Sequence, residues 1–208
     1  MDINSAIKVI GEKKLIACVR SDSPAKVTHI VDALKAGGIS CIELTMTVPD
    51  PFNQLKRITL AHPDLLIGMG TVLDAKDARK SIECGASFIV SPVLSEGILR
   101  YCSEAGVLSI PGIMTPNEMF TAMQAGAGIV KLFPASVAGP KFIREIRGPF
   151  PDAKIIPSGG VTVENAAEWL HAGAYALVMG GSVVSPAQEG NYGEISLRAA
   201  AAVKAISR

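Results

Sequence analysis

One lysine of this chain lies inside a short run of apolar residues. Lys131 interrupts the run from Gly128 to Phe133, whose composition is otherwise typical of a buried strand. A buried ammonium group is costly unless it is paired or loses its proton, and the neutral amine is a nucleophile that can form a Schiff base with a ketone. Lys131 is therefore a candidate catalytic residue. The alternative is a lysine at a strand end whose ammonium group reaches water.

A glutamate occupies a similar position earlier in the chain. Side chains alternate between the two faces of a strand, so the run from 41 to 47 has one face with polar groups and one apolar face. The first face carries Cys41, Glu43, Thr45 and Thr47, and the apolar face carries Ile42, Leu44 and Met46. The apolar face should pack on helices, so we expect Glu43 to point inward, as Lys131 and Phe133 do from their own strand. A buried carboxylate suits proton transfer, although a structural ion pair with Lys131 explains both residues equally well.

A weak repeat along the chain predicts the strands that hold these residues. Five glycines each end a helix-like stretch and precede a β-rich run, as left-handed helix caps do: Gly38, Gly85, Gly106, Gly126 and Gly173. The predicted strands are eight in number, at residues 15–19, 41–45, 65–69, 88–90, 107–110, 129–131, 154–157 and 176–179. In three places a capping side chain precedes a proline and marks a helix start, Ser23-Pro24, Asp50-Pro51 and Thr115-Pro116.

Eight strands that alternate with helices predict an α/β fold, with a parallel sheet closed into a (β/α)8 barrel. We expect one catalytic domain over residues 1–208, with an extra N-terminal helix from about residue 4 to 13 and a last helix after Asn191. A doubly wound open sheet is the competing topology, but it normally uses fewer strands.

In such a barrel the carboxyl ends of the strands carry the active site. Polar residues at those ends are therefore candidates, together with the proline that follows the fourth strand: Arg20, Thr71, Thr115 and Pro92. An arginine there can hold a carboxylate.

Glycine pairs end the last two predicted strands. Gly159-Gly160 follows the seventh strand, and Gly181 with Ser182 follows the eighth. Glycines let backbone N–H groups approach an anion, and the loops after strands seven and eight often form the phosphate site of a barrel enzyme. The two pairs together predict a phosphate site, with Thr162 as the cap of a following helix.

The composition argues against several other classes of function. The net charge is +1 without a basic stripe, so we expect no nucleic-acid and no membrane partner. No apolar run is long enough to span a bilayer, and the N-terminus lacks a signal-peptide pattern. The four cysteines show no CxxC spacing and are expected to be buried in a protein of the reducing cytoplasm, Cys18, Cys41, Cys84 and Cys102.

The histidines give a further expectation. His29, His62 and His171 all fall in predicted helices or at their C-terminal ends. A metal-dependent mechanism would need histidines or clustered carboxylates at strand ends. We therefore expect neither a metal nor another cofactor.

Several motifs spread over nearly the whole chain resemble one enzyme family. They are Ile42-Glu-Leu-Thr45, Gly68-Met-Gly-Thr-Val72, Val90-Ser-Pro92, Pro111-Gly-Ile-Met-Thr-Pro116, Lys131-Leu-Phe-Pro-Ala135 and Pro157-Ser-Gly-Gly-Val161. In this order they resemble the 2-keto-3-deoxy-6-phosphogluconate / 4-hydroxy-2-oxoglutarate aldolases. The resemblance implies a class I aldolase on a (β/α)8 barrel, usually a homotrimer, that needs no metal and acts on a small keto acid.

The resemblance also implies roles for individual residues. Lys131 corresponds to the lysine that forms the Schiff base, and Glu43 to the glutamate that moves protons. The substrate pocket maps to Arg20, Thr71 and Pro92, beside which we also expect Phe133. The phosphate loops map to Gly159, Gly160, Gly181 and Ser182.

One residue departs from the family pattern. Phosphogluconate-type members commonly carry an arginine four residues after the glutamate, where it binds the keto-acid carboxylate, whereas this chain has Thr47. A hydroxyl group cannot replace a bidentate guanidinium. Either Thr71, Arg20 and backbone N–H groups hold the carboxylate beside Thr47, or the substrate is not 2-keto-3-deoxy-6-phosphogluconate.

The predicted reaction is cleavage of a 2-keto-3-deoxy (6-phospho)sugar acid or 4-hydroxy-2-oxoglutarate to pyruvate and an aldehyde, glyceraldehyde 3-phosphate or glyoxylate. Two alternatives stay open. A phosphosugar isomerase or epimerase would use Glu43 as base and Lys131 as an electrostatic stabiliser. A non-catalytic barrel that binds a phosphorylated metabolite would explain the glycines, but it gives Lys131 and Glu43 no task. Fold alone decides none of these.

Overall fold

The computed structural model describes residues 1–207 as an alternation of helices and parallel strands. The strands are β1 (Leu15–Val19), β2 (Cys41–Thr45), β3 (Leu66–Gly70), β4 (Phe88–Val90), β5 (Leu108–Ile110), β6 (Gly112–Ile113), β7 (Val130–Leu132), β8 (Ile155–Pro157) and β9 (Leu177–Met179). The helices are α1 (Ile3–Lys13), α2 (Pro24–Ala36), α3 (Pro51–Ala61), α4 (Ala75–Glu83), α5 (Glu96–Glu104), α6 (Pro116–Gln124), α7 (Ala135–Ile146), α8 (Ala166–His171), α9 (Gly181–Val184) and α10 (Tyr192–Ile206). A 3₁₀ helix over Ser185–Glu189 joins α9 to α10.

The strands form two parallel ladders, which confirms the predicted α/β class. One ladder has the order β5-β4-β3-β2-β1-β9 and the other has the order β6-β7-β8. A single parallel bridge between Ser158 and Val178 links the end of β8 to β9. The predicted fifth strand, 107–110, corresponds to β5, and β6 is a further short strand that was not predicted. Pro111 lies between them; it has no N–H to donate, but its carbonyl oxygen accepts from the Lys131 N–H at 2.8 Å.

The register of the ladders aligns the candidate residues with their neighbours. In β2, Glu43 is paired with Cys18 of β1 on one side and with Gly68 of β3 on the other. In β7, Lys131 is paired with Gly112 of β6 and with Ile156 of β8. Both ionisable residues therefore sit in central strands with a partner on each side.

The two faces of the strands pack into separate apolar clusters. Ile42, Leu44, Val130 and Leu132 belong to the larger cluster, which they share with the helices. The smaller cluster holds the inward residues, including Cys41 and Ile129, and α1 contributes Ala6 and Ile10 to it. The predicted division of β2 and of the Lys131 strand into an inner and an outer face is confirmed.

The helix ends agree with the sequence at most positions. All five predicted cap glycines have positive φ, between 69° and 100°, a conformation that a side chain makes unfavourable. The helices begin at the predicted prolines, but only one of the three predicted caps bonds the backbone through its side chain: Thr115 Oγ1 accepts from Glu118 N at 3.2 Å, whereas Ser23 and Asp50 make no such bond.

Two further expectations concern membrane-spanning helices and the cysteines. Within residues 1–207, no helix combines the length and the apolar character that crossing a bilayer requires. The four cysteines are free. Cys84 was expected to be buried but is half-buried, because it lies at the C-terminal end of α4.

Candidate active site

A buried ion pair joins the two residues that the sequence singled out. Lys131 Nζ lies 3.6 Å from Glu43 Oε1, and the side chains are 4% and 0% exposed. They come from β7 in one ladder and β2 in the other, so residues 88 positions apart in the chain meet in the interior. Lys131 Nζ also lies 5.3 Å from the centre of the Phe133 ring, a distance at which a cation and an aromatic face attract each other.

The neighbouring strands leave room for the Glu43 carboxylate and contact one of its oxygens. A Cβ atom added at Gly70 of β3 would overlap that carboxylate, so only glycine fits there. On the β1 side, Cys18 Sγ lies 3.8 Å from Glu43 Oε1 and donates a weak hydrogen bond to it. Among the residues the structure describes, the other oxygen, Oε2, has no hydrogen-bond partner. Glu43 therefore has one anchored oxygen and one free to accept a proton.

A cavity of about 580 Å³ opens above Lys131. It brings together nine of the residues predicted for the site, Arg20, Thr71, Pro92, Lys131, Phe133, Gly159, Gly160, Gly181 and Ser182. Glu43 lies beneath the cavity and does not line it. Lining residues that the sequence reasoning missed include Cys18, Ser158 and Val178. Strand alternation could have found Cys18, which shares a face of the first strand with Arg20.

Thr47 lies outside this cavity and contacts Arg20 instead. Arg20 Nη1 donates to Thr47 Oγ1 at 3.3 Å, and Thr45 Oγ1 donates to the carbonyl oxygen of Val19 at 3.1 Å. The two threonine hydroxyls are 2.7 Å apart. Each hydroxyl has one proton, so the Thr47 hydroxyl donates to Thr45, and Thr47 Oγ1 accepts from the guanidinium. Thr47 therefore orients Arg20, which borders both the Lys131 cavity and a neighbouring cavity lined by Thr47.

The structural reasons for glycine differ between the segment after β8 and the segment after β9. Gly159 and Gly160 have φ values of 90° and 80°, and a Cβ at Gly160 would come 2.7 Å from Ser136 Cβ. Gly181 has neither constraint: its φ is not positive, and a Cβ there would meet nothing within 4 Å. The chain's own conformation and packing thus explain the first loop but not Gly181.

Two threonines near the site, Thr162 and Thr115, depart from the sequence predictions in different ways. Thr162 does not cap a helix, since α8 begins only at Ala166; it forms a turn in which Thr162 N donates to Asn165 Oδ1 at 2.9 Å. Thr115 is not among the residues lining the Lys131 cavity, and it caps α6.

The residues that could bind a metal are dispersed. His29 lies in α2, His62 at the C-terminal end of α3 and His171 at the end of α8. Within residues 1–207, no group of three or more His, Cys, Asp or Glu side chains is placed to hold a metal ion.

Comparison with known proteins gives this geometry a family. The model of the KDPG and KHG aldolases matches residues 6–206. A 2-dehydro-3-deoxy-phosphogluconate aldolase of Pseudomonas aeruginosa is 34% identical over 176 residues, 84% of this chain and 80% of its own. A 2-dehydro-3-deoxy-6-phosphogalactonate aldolase of Escherichia coli is 33% identical over 193 residues, 92% and 93% of the two chains.

A solved structure extends the match to three dimensions. A KDPG aldolase from Legionella pneumophila, with pyruvate captured as a covalent carbinolamine intermediate, superposes with a TM-score of 0.89 at 26% identity, covering 95% of this chain and 97% of its own. Sequence and structure agree over almost the full length, and the chain therefore belongs to the KDPG and KHG aldolase family.

Proposed function

We propose that this aldolase works through a Schiff base on Lys131, with Glu43 as the group that moves protons. The observation that carries the proposal is the buried Lys131–Glu43 pair, with Nζ and Oε1 3.6 Å apart, beneath a cavity that Lys131 lines. The covalent carbinolamine of pyruvate in the Legionella relative supports the same route.

The reaction follows from these two groups. The neutral amine of Lys131 attacks the C2 ketone, and loss of water from the carbinolamine gives an iminium. Glu43 then takes the proton of the C4 hydroxyl through a water molecule, the C3–C4 bond breaks, and its electron pair moves to the iminium nitrogen. The aldehyde leaves. Glu43 returns a proton to C3 of the enamine, and hydrolysis releases pyruvate and the free amine.

The keto-acid end of the substrate lies, in this proposal, against Arg20, Thr71, Pro92 and Phe133. Arg20 and Lys131 are the cations that line the cavity. Since Lys131 forms the covalent bond, Arg20 is left to hold the carboxylate, and Thr47 keeps its guanidinium oriented. This arrangement does without the arginine that phosphogluconate-type members commonly carry at the position of Thr47.

The other end of the substrate carries a phosphate group, which the two glycine loops hold through backbone N–H groups. Gly159, Gly160, Gly181 and Ser182 line the same cavity as Lys131. Gly181 supports this proposal most directly, because nothing in the chain itself requires glycine there. A close approach of a ligand to the backbone is the remaining reason. The substrate is thus a 2-keto-3-deoxy-6-phosphosugar acid, as the names of both relatives suggest, and glyceraldehyde 3-phosphate is the aldehyde.

The finer architecture is part of the same proposal. Residues 1–207 form one (β/α)8 barrel domain, in which β5 and β6 act as one strand and the Ser158–Val178 bridge closes the ring. The barrel assembles as a homotrimer, as the family resemblance implies, and α6 leaves Phe120 and Met123 exposed for a contact between copies. Light scattering after size exclusion tests the trimer. We place the protein in the cytoplasm, where its four free cysteines stay reduced.

Borohydride reduction in the presence of pyruvate tests the central proposal. An iminium on Lys131 should be reduced to a stable secondary amine, which inactivates the enzyme and adds one pyruvate-derived group to the peptide that contains Lys131. Borohydride without pyruvate is the control. An adduct on another lysine, or none while aldol cleavage persists, would overturn the assignment. The isomerase alternative forms no imine and gives no adduct.

A further inference from the structure

We propose that Cys18 is a positioning residue for proton transfer: its thiol holds Oε1 of Glu43 and leaves Oε2 free to take the proton. The inference rests on the role proposed above for Glu43. Cys18 lies in β1, directly beside Glu43 in the parallel register, and its Sγ lies 3.8 Å from Glu43 Oε1. It also lines the Lys131 cavity.

The donors around Glu43 make Cys18 distinctive. Within the described residues, the contacts to the carboxylate are those of Cys18 and Lys131, and both reach Oε1. On the opposite side Gly70 offers no side chain. Oε2 has no hydrogen-bond partner, although a carboxylate can accept about four hydrogen bonds. The carboxylate is therefore fixed through one oxygen, and the other is available for the proton.

The catalytic cycle changes the second contact of Glu43. Lys131 Nζ lies 3.6 Å from Glu43 Oε1, an ion pair and not a hydrogen bond, and the enamine formed on cleavage carries no charge on that nitrogen. The attraction between Lys131 and Glu43 is therefore lost while the enamine is present. The Cys18 thiol takes no part in the chemistry, so it remains the donor that keeps Glu43 in place when the C4 and C3 protons are transferred.

The thiol stays protonated in this environment. Burial, together with the negative charge of Glu43, raises the pKa of Cys18 to about 12, against smaller opposing effects of Lys131 and Arg20. At neutral pH the group is a hydrogen-bond donor and a poor nucleophile. It therefore neither competes with Lys131 for the ketone nor reacts readily with alkylating agents.

The test compares three variants of the full-length protein. Cys18→Ala removes the donor, Cys18→Ser restores one, and Cys41→Ala makes the same deletion in the same inner cluster without a contact to Glu43. The measurements are turnover, exchange of the pyruvate methyl protons with solvent by NMR, and borohydride trapping. Circular dichroism and a thermal melt establish folding.

We expect Cys18→Ala to lower methyl-proton exchange and kcat by roughly tenfold, the scale of a hydrogen bond to a charged group. Borohydride trapping on Lys131 should be unchanged. Cys18→Ser should restore most of the exchange, and Cys41→Ala should leave both exchange and kcat as in the parent.

Other results would overturn the inference. Parent-like exchange in Cys18→Ala, while Glu43→Gln has lost it, removes Cys18 and leaves the role of Glu43 intact. Parent-like exchange in Glu43→Gln removes the proposed function instead. Equal losses in Cys18→Ala and Cys41→Ala, without recovery in Cys18→Ser, mean that both cysteines only fill the core. If Cys18→Ala does not fold, Cys18→Val fills the space without a donor and is read by the same criteria.

Discussion

The bottom and the edge of the cavity differ in how they are built. The bottom, which we call the catalytic floor, consists of Glu43 and Lys131 on central strands, with side chains 0% and 4% exposed. The edge, which we call the glycine rim, consists of Gly159 and Gly160 in the turn after β8, and of Gly181 and Ser182 at the start of α9, which follows β9. Gly160 and Gly181 are exposed and have no side chain to offer.

This difference fits the two tasks proposed above. Proton transfer and imine formation need side chains at fixed distances in a medium of low dielectric, where charges interact strongly. The two parallel ladders supply both the fixed distances and the low-dielectric interior. Holding an anion that must enter and leave needs only directed N–H groups, which the backbone provides wherever no Cβ blocks the approach. We therefore expect changes in the floor to reduce kcat and changes in the rim to act on KM.

The largest effect is expected for Lys131→Arg. The guanidinium keeps the charge beside Glu43, but it stays protonated near neutral pH and cannot attack a ketone. Turnover should fall by at least roughly 10⁴-fold, the scale of losing a covalent nucleophile, and borohydride should add no pyruvate. Lys154→Arg, on a half-buried lysine next to β8, is the matched control. Substantial turnover in a folded Lys131→Arg protein would remove the Schiff base from the floor.

Glu43→Gln should come next. The amide has nearly the same shape, fits the space over Gly70 and cannot take the proton, so kcat should fall by roughly 100-fold or more. Methyl-proton exchange of pyruvate should slow by a similar factor, whereas trapping on Lys131 should persist. Near-normal exchange in the folded variant would falsify the proton-transfer role of Glu43 and reduce the pair to a structural one.

A substitution in the rim should separate binding from chemistry. Gly181→Leu adds a side chain where there is open space, so the fold should tolerate it while the approach of phosphate is blocked. KM for a phosphorylated substrate should rise by roughly tenfold or more, the scale of a charge-assisted hydrogen bond. An unphosphorylated analogue is the internal control. Equal changes in KM for both substrates would mean that the rim does not bind the phosphate.

A smaller effect is expected for Thr47→Val, which removes the acceptor that orients Arg20. KM for pyruvate in the condensation direction should rise by roughly threefold, since one neutral acceptor is lost and the guanidinium remains. Arg20→Met provides the reference and should raise KM further. A normal KM in Arg20→Met would show that the carboxylate is held elsewhere.

Removal of metal ions is expected to have no effect on activity. Prolonged dialysis against EDTA should leave activity unchanged, because the proposed electron sink is the iminium and not a bound cation. Recovery of lost activity on adding zinc, magnesium or manganese would contradict the description of the catalytic floor.

The sequence predicted much of the site because strand alternation is a local rule. Lys131 and Glu43 each occupy an inward position of a short apolar run, and both proved to be buried on the inner face. Helix ends were predictable for the same reason, since glycine at a left-handed cap is a local requirement. The sequence did not predict β6, which follows Pro111 and pairs with β7, whereas β5 pairs with β4.

Other features depended on residues far apart in the chain. No distance between Lys131 and Glu43 could be read from the sequence, which left an ion pair and a catalytic pair equally open. It also missed Cys18, which looked like any small buried residue until the register brought it beside Glu43. The hydrogen bond between Arg20 and Thr47, which are 27 positions apart, was likewise not predicted from the sequence.

The amino-acid sequence by itself determined the α/β class, the inward direction of the ionisable residues and the family. These follow from side-chain periodicity, turn chemistry and motif order, all of which act over a few residues. The tertiary structure decided which oxygen of Glu43 is held, which cavities Arg20 borders and why Gly70 is glycine. Those properties arise from contacts between separate strands and loops, since the packing of the whole chain sets which groups meet and how much water they retain.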